Sequence, residues 1–193
     1  HASFKIKKGK VIYIDPFHIN ENEKADIILI THGHYDHCSI EDINKVIDNT
    51  TIFVATHDCL SKLTRFKNNK INIIKPKSKL VIDNIKIETV PAYNVNKFRA
   101  PGIPFHSKEE EWVGYILGIA DKRIYFVGDS DVINEMNNIK NIDIMLVPVS
   151  GTYVMTTKEA VDTVNIIKPK IAIPCHYGAG VAGTLEDAKR FKE

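Results

Sequence analysis

The sequence predicts an α/β protein in which two β-sheets face one another with helices on the outside. Three observations predict it. Short apolar runs bounded by turn residues recur along the chain, as at Ile27-Ile28-Leu29-Ile30 and Ile171-Ala172-Ile173-Pro174. Segments with helical apolar spacing fall between them, and the strand-and-helix alternation of the first half returns in the second. There is no short fixed repeat and no low-complexity linker. At 193 residues and 44% hydrophobic content, the chain suits one compact domain, residues 1–193, long enough to bury a sizeable core.

The elements follow in order. Residues 4–6 and 11–14 flank Lys8-Gly9-Lys10, a hairpin signal. Residues 27–30 are continuously apolar, as in a strand buried on both faces. Ser39-Ile40-Glu41-Asp42 provides a cap residue and an acid in the first turn, and Ile40, Ile43, Val46 and Ile47 give the helix an apolar face. A strand at 51–55 and a helix from Thr56 to about Phe66 come next. Strands at 70–74, 79–82 and 85–90 are separated by Lys75-Pro76-Lys77-Ser78 and Asp83-Asn84. Residues 91–111 read as a long irregular loop, a length that often carries function. Residues 112–119 and 123–127 form a hairpin across Asp121-Lys122. A strand at 142–148, a helix at 156–168, a strand at 171–174 and a helix at 184–191 complete the chain.

Lys and Arg exceed Asp and Glu by two, 26 against 24, so no strong nucleic-acid signal is present. The basic runs at residues 5–8 and 67–70 read as solvated turns. Cys38, Cys59 and Cys175 are an odd set without regular spacing, which suits reduced thiols in a cytoplasmic protein. No apolar run is long enough to span a bilayer, and the first residues do not read as a secretory signal. The opening at His1, with no methionine, suggests that initial residues precede it.

The chemistry-bearing feature is Thr31-His32-Gly33-His34-Tyr35-Asp36-His37. A divalent metal needs several lone-pair donors within about 2.0–2.3 Å of one point. Imidazoles and carboxylates provide them near neutral pH. In extended chain His32 and His34 lie on one side, and a following turn aims Asp36 and His37 at a second point. Such a set suits one or two ions. Asp129 follows an apolar strand and Gly128, which allows a tight turn, and His176 follows an apolar strand in the same way; both are expected ligands. Structural zinc sites favour thiolates, whereas this set is His- and Asp-rich. Cys38 and Cys175 adjoin His37 and His176 but point the other way in extended chain, and are expected to pack.

Taken together, these residues resemble the metallo-β-lactamase superfamily, and in detail small hydrolases of the ascorbate-6-phosphate lactonase-like group. The likeness rests on His1-Ala2-Ser3-Phe4, Ile14-Asp15-Pro16-Phe17, the 31–37 run, Gly128-Asp129-Ser130, Pro148-Val149-Ser150-Gly151-Thr152 and Pro174-Cys175-His176-Tyr177-Gly178. It implies an α/β fold of the αββα sandwich type. It implies that His32 and His34 serve one metal, Asp36 and His37 the other, that Asp129 bridges and that His176 completes the second site. One position departs from the family: Asn94 stands near where a further histidine is usual, and an amide oxygen is the weaker ligand. His106, in the 91–111 loop, is the substitute. His1, by its place in relatives, and Asp15, as a residue able to orient a ligand histidine, are expected neighbours of the site. Tyr153 and Tyr177 are candidates to donate to a substrate oxyanion, and His18 and His57 are surface histidines.

The expected cofactor is a divalent metal, Zn2+ ahead of Mn2+ or Fe2+. The expected activity is hydrolysis of an ester, lactone, amide or phosphodiester bond of a small-molecule substrate, with Asp36 also handling the proton. A homo-oligomer is compatible with the sequence, and no membrane partner is expected. The competing readings are an RNA/DNA-processing nuclease of the same fold, which would want a basic surface, and a metal-binding module with no hydrolase activity. A flavodiiron oxidoreductase would typically carry an acid where Tyr35 stands, and a flavin domain.

Overall fold

In a computed structural model, residues 1–192 are described, and the chain divides into two compact units: Ala2–Lys75, and Pro76–Glu193 together with His1.

The first unit is a five-stranded sheet. Strands β1 (Phe4–Lys7) and β2 (Val11–Ile14) form the expected antiparallel hairpin. β3 (Ile27–Ile30), β4 (Ile52–Thr56) and β5 (Ile71–Ile74) then add in parallel, in the order β1-β2-β3-β4-β5. All four β3 residues are buried, which is why the run lacks polar alternation. Helix α1 (Ile40–Val46) starts at Ser39, whose side chain accepts the Asp42 N–H, and it buries Ile43 and Val46. Those two pack with Ile28, Ile30, Phe53, Ala55, Cys59 and Leu63 in the core of this unit. The helix expected from Thr56 to Phe66 is shorter: a 3-10 turn, His57–Cys59, runs into α2 (Leu60–Leu63).

The second unit holds a six-stranded sheet. Its strands are β6 (Lys79–Ile82), β7 (Ile85–Pro91), β10 (Val113–Ile119), β11 (Lys122–Phe126), β12 (Ile144–Pro148) and β13 (Ile171–Cys175). The order is β13-β12-β11-β10-β7-β6; β11, β12 and β13 are parallel and the remaining pairs antiparallel. Helix α3 (Thr157–Ile167) opens with a reciprocal capping box between Thr156 and Glu159. Helix α4 (Leu185–Lys192) closes the described chain.

Between β7 and β10 the sequence predicts irregular chain, and the structure differs. Residues 98–104 form a small hairpin, β8 (Phe98–Ala100) with β9 (Ile103–Pro104), and a 3-10 turn follows at Lys108–Glu110. The hairpin turns at Pro101-Gly102, where Gly102 takes a φ of +73°. Proline followed by glycine is a turn signal in its own right. A third 3-10 segment, Asn134–Asn138, lies where the sequence pattern gives no helix. Among the described residues no helix is long and apolar enough to cross a membrane. All three cysteines are buried, and Cys38 lies in the first unit's core.

Where β10 and β11 separate, their backbones come too close for side chains. A Cβ on Gly114 would lie 2.4 Å from the Val127 carbonyl oxygen, and one on Gly128 would lie 2.8 Å from that of Val113. Gly128 also takes a φ of +72°, and this turn delivers Asp129. Gly114→Ala is therefore expected to cost about 2 kcal/mol or more in urea unfolding, because the obstruction is backbone. An unchanged midpoint would contradict the close approach.

Candidate metal centre

Two clusters of histidine and carboxylate side chains form, one in each unit, and each sits where parallel strands end.

In the first unit, β2 and β3 run in register with Ile14 opposite Leu29, so the residues that follow them are neighbours. The Asp15 N–H donates to the Leu29 carbonyl at 2.9 Å. The Asp15 carboxylate accepts the Thr31 N–H at 2.8 Å and the Thr31 hydroxyl at 2.6 Å, and lies 2.7 Å from His37 Nδ1. These contacts fix tautomers. An ionised carboxylate only accepts, so His37 Nδ1 carries the proton and Nε2 presents a lone pair. The Thr31 hydroxyl gives its proton to Asp15, so it accepts from His32 Nδ1, 2.9 Å away, and His32 Nε2 also presents a lone pair. His32 Nε2 stands 3.0 Å from His34 Nδ1, and Asp36 Oδ2 3.4 Å from His37 Nε2. The His32 ring centroid is 4.1 Å from that of His37. Asp15, His32, Asp36 and His37 are buried, while His34 and Tyr35 are exposed. Burial pushes the Asp15 carboxyl above its ordinary range, against the opposing pull of His37 and Thr31.

In the second unit, β11, β12 and β13 end side by side and deliver Asp129, Ser150 and His176. His176 Nε2 is 3.1 Å from Asp129 Oδ2, and its Nδ1 is 3.1 Å from the Ser150 hydroxyl. His176 takes a left-handed φ of 57°, as Asp15 does at 43°; non-glycine residues held there concentrate at functional positions. The His1 carbonyl accepts the His176 N–H at 3.1 Å, and the two rings lie 4.3 Å apart. His106, buried against Trp112, places Nε2 3.7 Å from Asp129 Oδ2.

Asn94 is held within the backbone. Its Oδ1 accepts the His106 N–H at 2.8 Å, and its Nδ2 donates to the Tyr153 carbonyl at 2.9 Å. The side chain thus fixes the segment that carries His106. Beyond Asn94, the Asp131 carboxylate accepts the Val95 and Asn96 N–H groups at 2.7 and 2.9 Å. Lys97 bridges Asp131 at 3.1 Å and Glu159 at 2.7 Å. Tyr153 meets Phe105 edge-on, and His18 and His57 are exposed.

The donor chemistry fits a divalent cation. Asp36 and Asp129 are buried carboxylates that face imidazole nitrogens, and a cation offsets the cost of burying such anions. Sequence reasoning missed Ser150 and the role of Thr31. Thr31 heads the motif and was legible as its neighbour; Ser150 is 26 residues from His176, and no local signal links them.

The β-lactamase superfamily domain matches residues 1–176, a span that runs from His1 to His176 and takes in both clusters. A UPF0173 metal-dependent hydrolase from Thermoplasma acidophilum is 31% identical, over 100% of this chain and 86% of its own length. The chain belongs to the metal-dependent hydrolases of the β-lactamase superfamily. A solved Parabacteroides distasonis structure matches this hydrolase with a TM-score of 0.83 at 33% identity, covering 100% of this chain and 86% of that one. A metallo-β-lactamase superfamily structure from Thermotoga maritima, 22% identical and covering 98% and 81%, shares its fold with a TM-score of 0.66. The hydrolase has the α/β fold of the metallo-β-lactamase type, in agreement with the resemblance read from its motifs.

The anchor of the 94–106 segment has a measurable acid limit. Partial burial acts to raise the Glu159 carboxyl, but hydrogen bonds from Lys97, the Thr156 backbone, Asn96 and the Thr156 hydroxyl outweigh it and bring the pKa from 4.5 to about 2. A depressed carboxylate contributes stability that is present above about pH 4.5 and is lost as pH falls towards about 2. Glu159→Gln should therefore be less stable than the parent at neutral pH, by on the order of 2 kcal/mol, and the gap should close on acidification. Thermal melts from roughly pH 7 to 3 read this directly. A gap that stays constant with pH would refute it.

Proposed function

We propose that the residues of the two clusters are ligands for divalent metal, and that the hydrolase cleaves an ester, lactone, amide or phosphodiester bond of a small substrate. The observation that carries this reading is the orientation of the imidazoles. Asp15, directly and through Thr31, holds His37 and His32 with their Nε2 lone pairs presented, the state in which imidazole binds metal. In this reading His32, His34, Asp36, His37, His106, Asp129 and His176 would hold the metal. His106 supplies the imidazole that Asn94 lacks, and Asn94 holds His106 in place. Zn2+ suits a set of imidazoles and carboxylates best, with Mn2+ or Fe2+ as alternatives. When bound, such a metal activates water near neutral pH and polarises the bond under attack. Asp36 would orient a water molecule and take its proton, and Ser150 steadies His176 through Nδ1. Three buried cysteines, an odd count without regular spacing, suit a reducing, cytoplasmic setting. A small-molecule substrate and a homo-oligomeric state complete the reading.

The test is elemental analysis of the purified protein, followed by turnover on a panel of esters, lactones, amides and phosphodiesters. Bound zinc, turnover lost on chelation and regained on adding Zn2+ are expected. Asp36→Ala should lower kcat by about 10²-fold or more. Turnover indifferent to chelation would overturn the metal-centre reading.

His106→Ala separates its proposed role from simple packing. It should lower zinc stoichiometry or affinity by about 10-fold or more, while Tyr153 and the Asn94 backbone contacts keep the segment folded. Full occupancy and full activity in that variant would remove His106 from the centre.

A further inference from the structure

The register of β3 and β4 sets a second device beside the histidine loop. The strands are parallel, with Ile30 opposite Ala55, so the chain leaving β4 runs next to the chain leaving β3. That chain is the 3-10 turn and α2, and it is rooted in the core by Cys59 and Leu63, both fully buried. Residues 58 and 62 are four apart on this short helical segment and share a face. They meet Gly33, the residue between His32 and His34. The Asp58 carboxylate accepts the Gly33 N–H at 2.7 Å, and the Lys62 ammonium donates to the Gly33 carbonyl at 2.7 Å. Thr56 adds a weaker contact from its hydroxyl to the Thr31 carbonyl at 3.4 Å.

Gly33 is the fitting residue for this grip. A Cβ there would lie 2.8 Å from Asp58 Oδ2 and 3.3 Å from its Cγ, so the absent side chain is what lets the carboxylate reach the backbone. Both polar groups of one residue are thereby held by ionised partners of opposite sign, and such charge-assisted bonds are the strong ones. A flexible loop between two histidines would otherwise have to be ordered when the ligand binds.

We infer that Asp58 and Lys62 are positioning residues: they clamp Gly33 so that His32 and His34 are set for one ion before it arrives. The inference rests on the metal-centre reading and adds two residues that touch neither metal nor substrate. Each works only through the backbone of the residue between two ligands.

The experiment measures Zn2+ affinity of protein stripped of metal, by competition with a chromogenic chelator, alongside the melting temperature of the metal-free form. Asp58→Ala and Lys62→Met should each weaken zinc binding by about 10-fold or more, with Asp58→Asn and Lys62→Arg restoring most of it. Metal-free melting temperatures should stay close to the parent's, since neither side chain is in the core. Gly33→Ala should weaken binding in the parent, by displacing Asp58, and should add little in an Asp58→Ala background. Amide hydrogen exchange at Gly33 in the metal-free protein should speed up in Asp58→Ala. A parent that binds no zinc would sink the metal-centre reading itself. A parent that binds zinc, with Asp58→Ala and Lys62→Met binding it equally well, would sink the clamp alone. Additive losses in the double variant, or exchange at Gly33 unchanged by Asp58→Ala, would likewise count against it.

Discussion

The Asp15 carboxylate is the interaction on which the histidine loop depends. It is fully buried and takes hydrogen bonds from the Thr31 backbone, the Thr31 hydroxyl and the His37 ring. A buried carboxylate is costly unless its oxygens are occupied, and here they are occupied by groups of the loop it must organise. The same contacts settle which nitrogen of His32 and His37 is protonated. Stability and chemical readiness are therefore one arrangement: turning the His37 ring over would take its Nδ1 away from Asp15. Its left-handed backbone is the conformational cost of turning sharply out of β2 so that the carboxylate points back towards β3.

Parallel pairing explains why the donors collect where they do. Strands laid side by side in the same direction end together, and side chains in the chain just beyond them become neighbours. In the first unit β2, β3 and β4 deliver Asp15, the 31–37 run and the Asp58/Lys62 pair. In the second unit β11, β12 and β13 deliver Asp129, Ser150 and His176. Residues from Asp15 to His37 and from Asp129 to His176 are distant along the chain, yet each set closes through hydrogen bonds of ordinary length. The antiparallel β7 and β10 then frame the segment in which Asn94 and His106 hold one another by two reciprocal backbone and side-chain contacts.

Much of this was legible in the sequence. The apolar run at β3, the hairpin of β1 and β2, the Ser39 and Thr156 helix starts and the 31–37 motif all announce themselves through local periodicity, capping and donor spacing. Metal donors are of few residue types and cluster, so a dense histidine run stands out from background composition. The reach of the helix after β4 was overestimated because apolar spacing continues past Leu63 while the helix itself stops there. The hairpin within 91–111 leaves little strand pattern in the sequence, because its strands are only three and two residues long.

The sequence by itself determined the α/β class, the strands that carry the motifs and the residue types able to hold a metal, since these depend on short-range pattern and on side-chain chemistry. Only the tertiary structure decided the partners. Ser150 against His176, Asn94 against the His106 backbone, and Asp58 and Lys62 against Gly33 are pairings across 12 to 29 residues of chain. Their meeting is set by strand register and by where each turn aims its side chain. No local propensity encodes either, because both are properties of the packed sheet and arise only when distant segments are brought alongside one another.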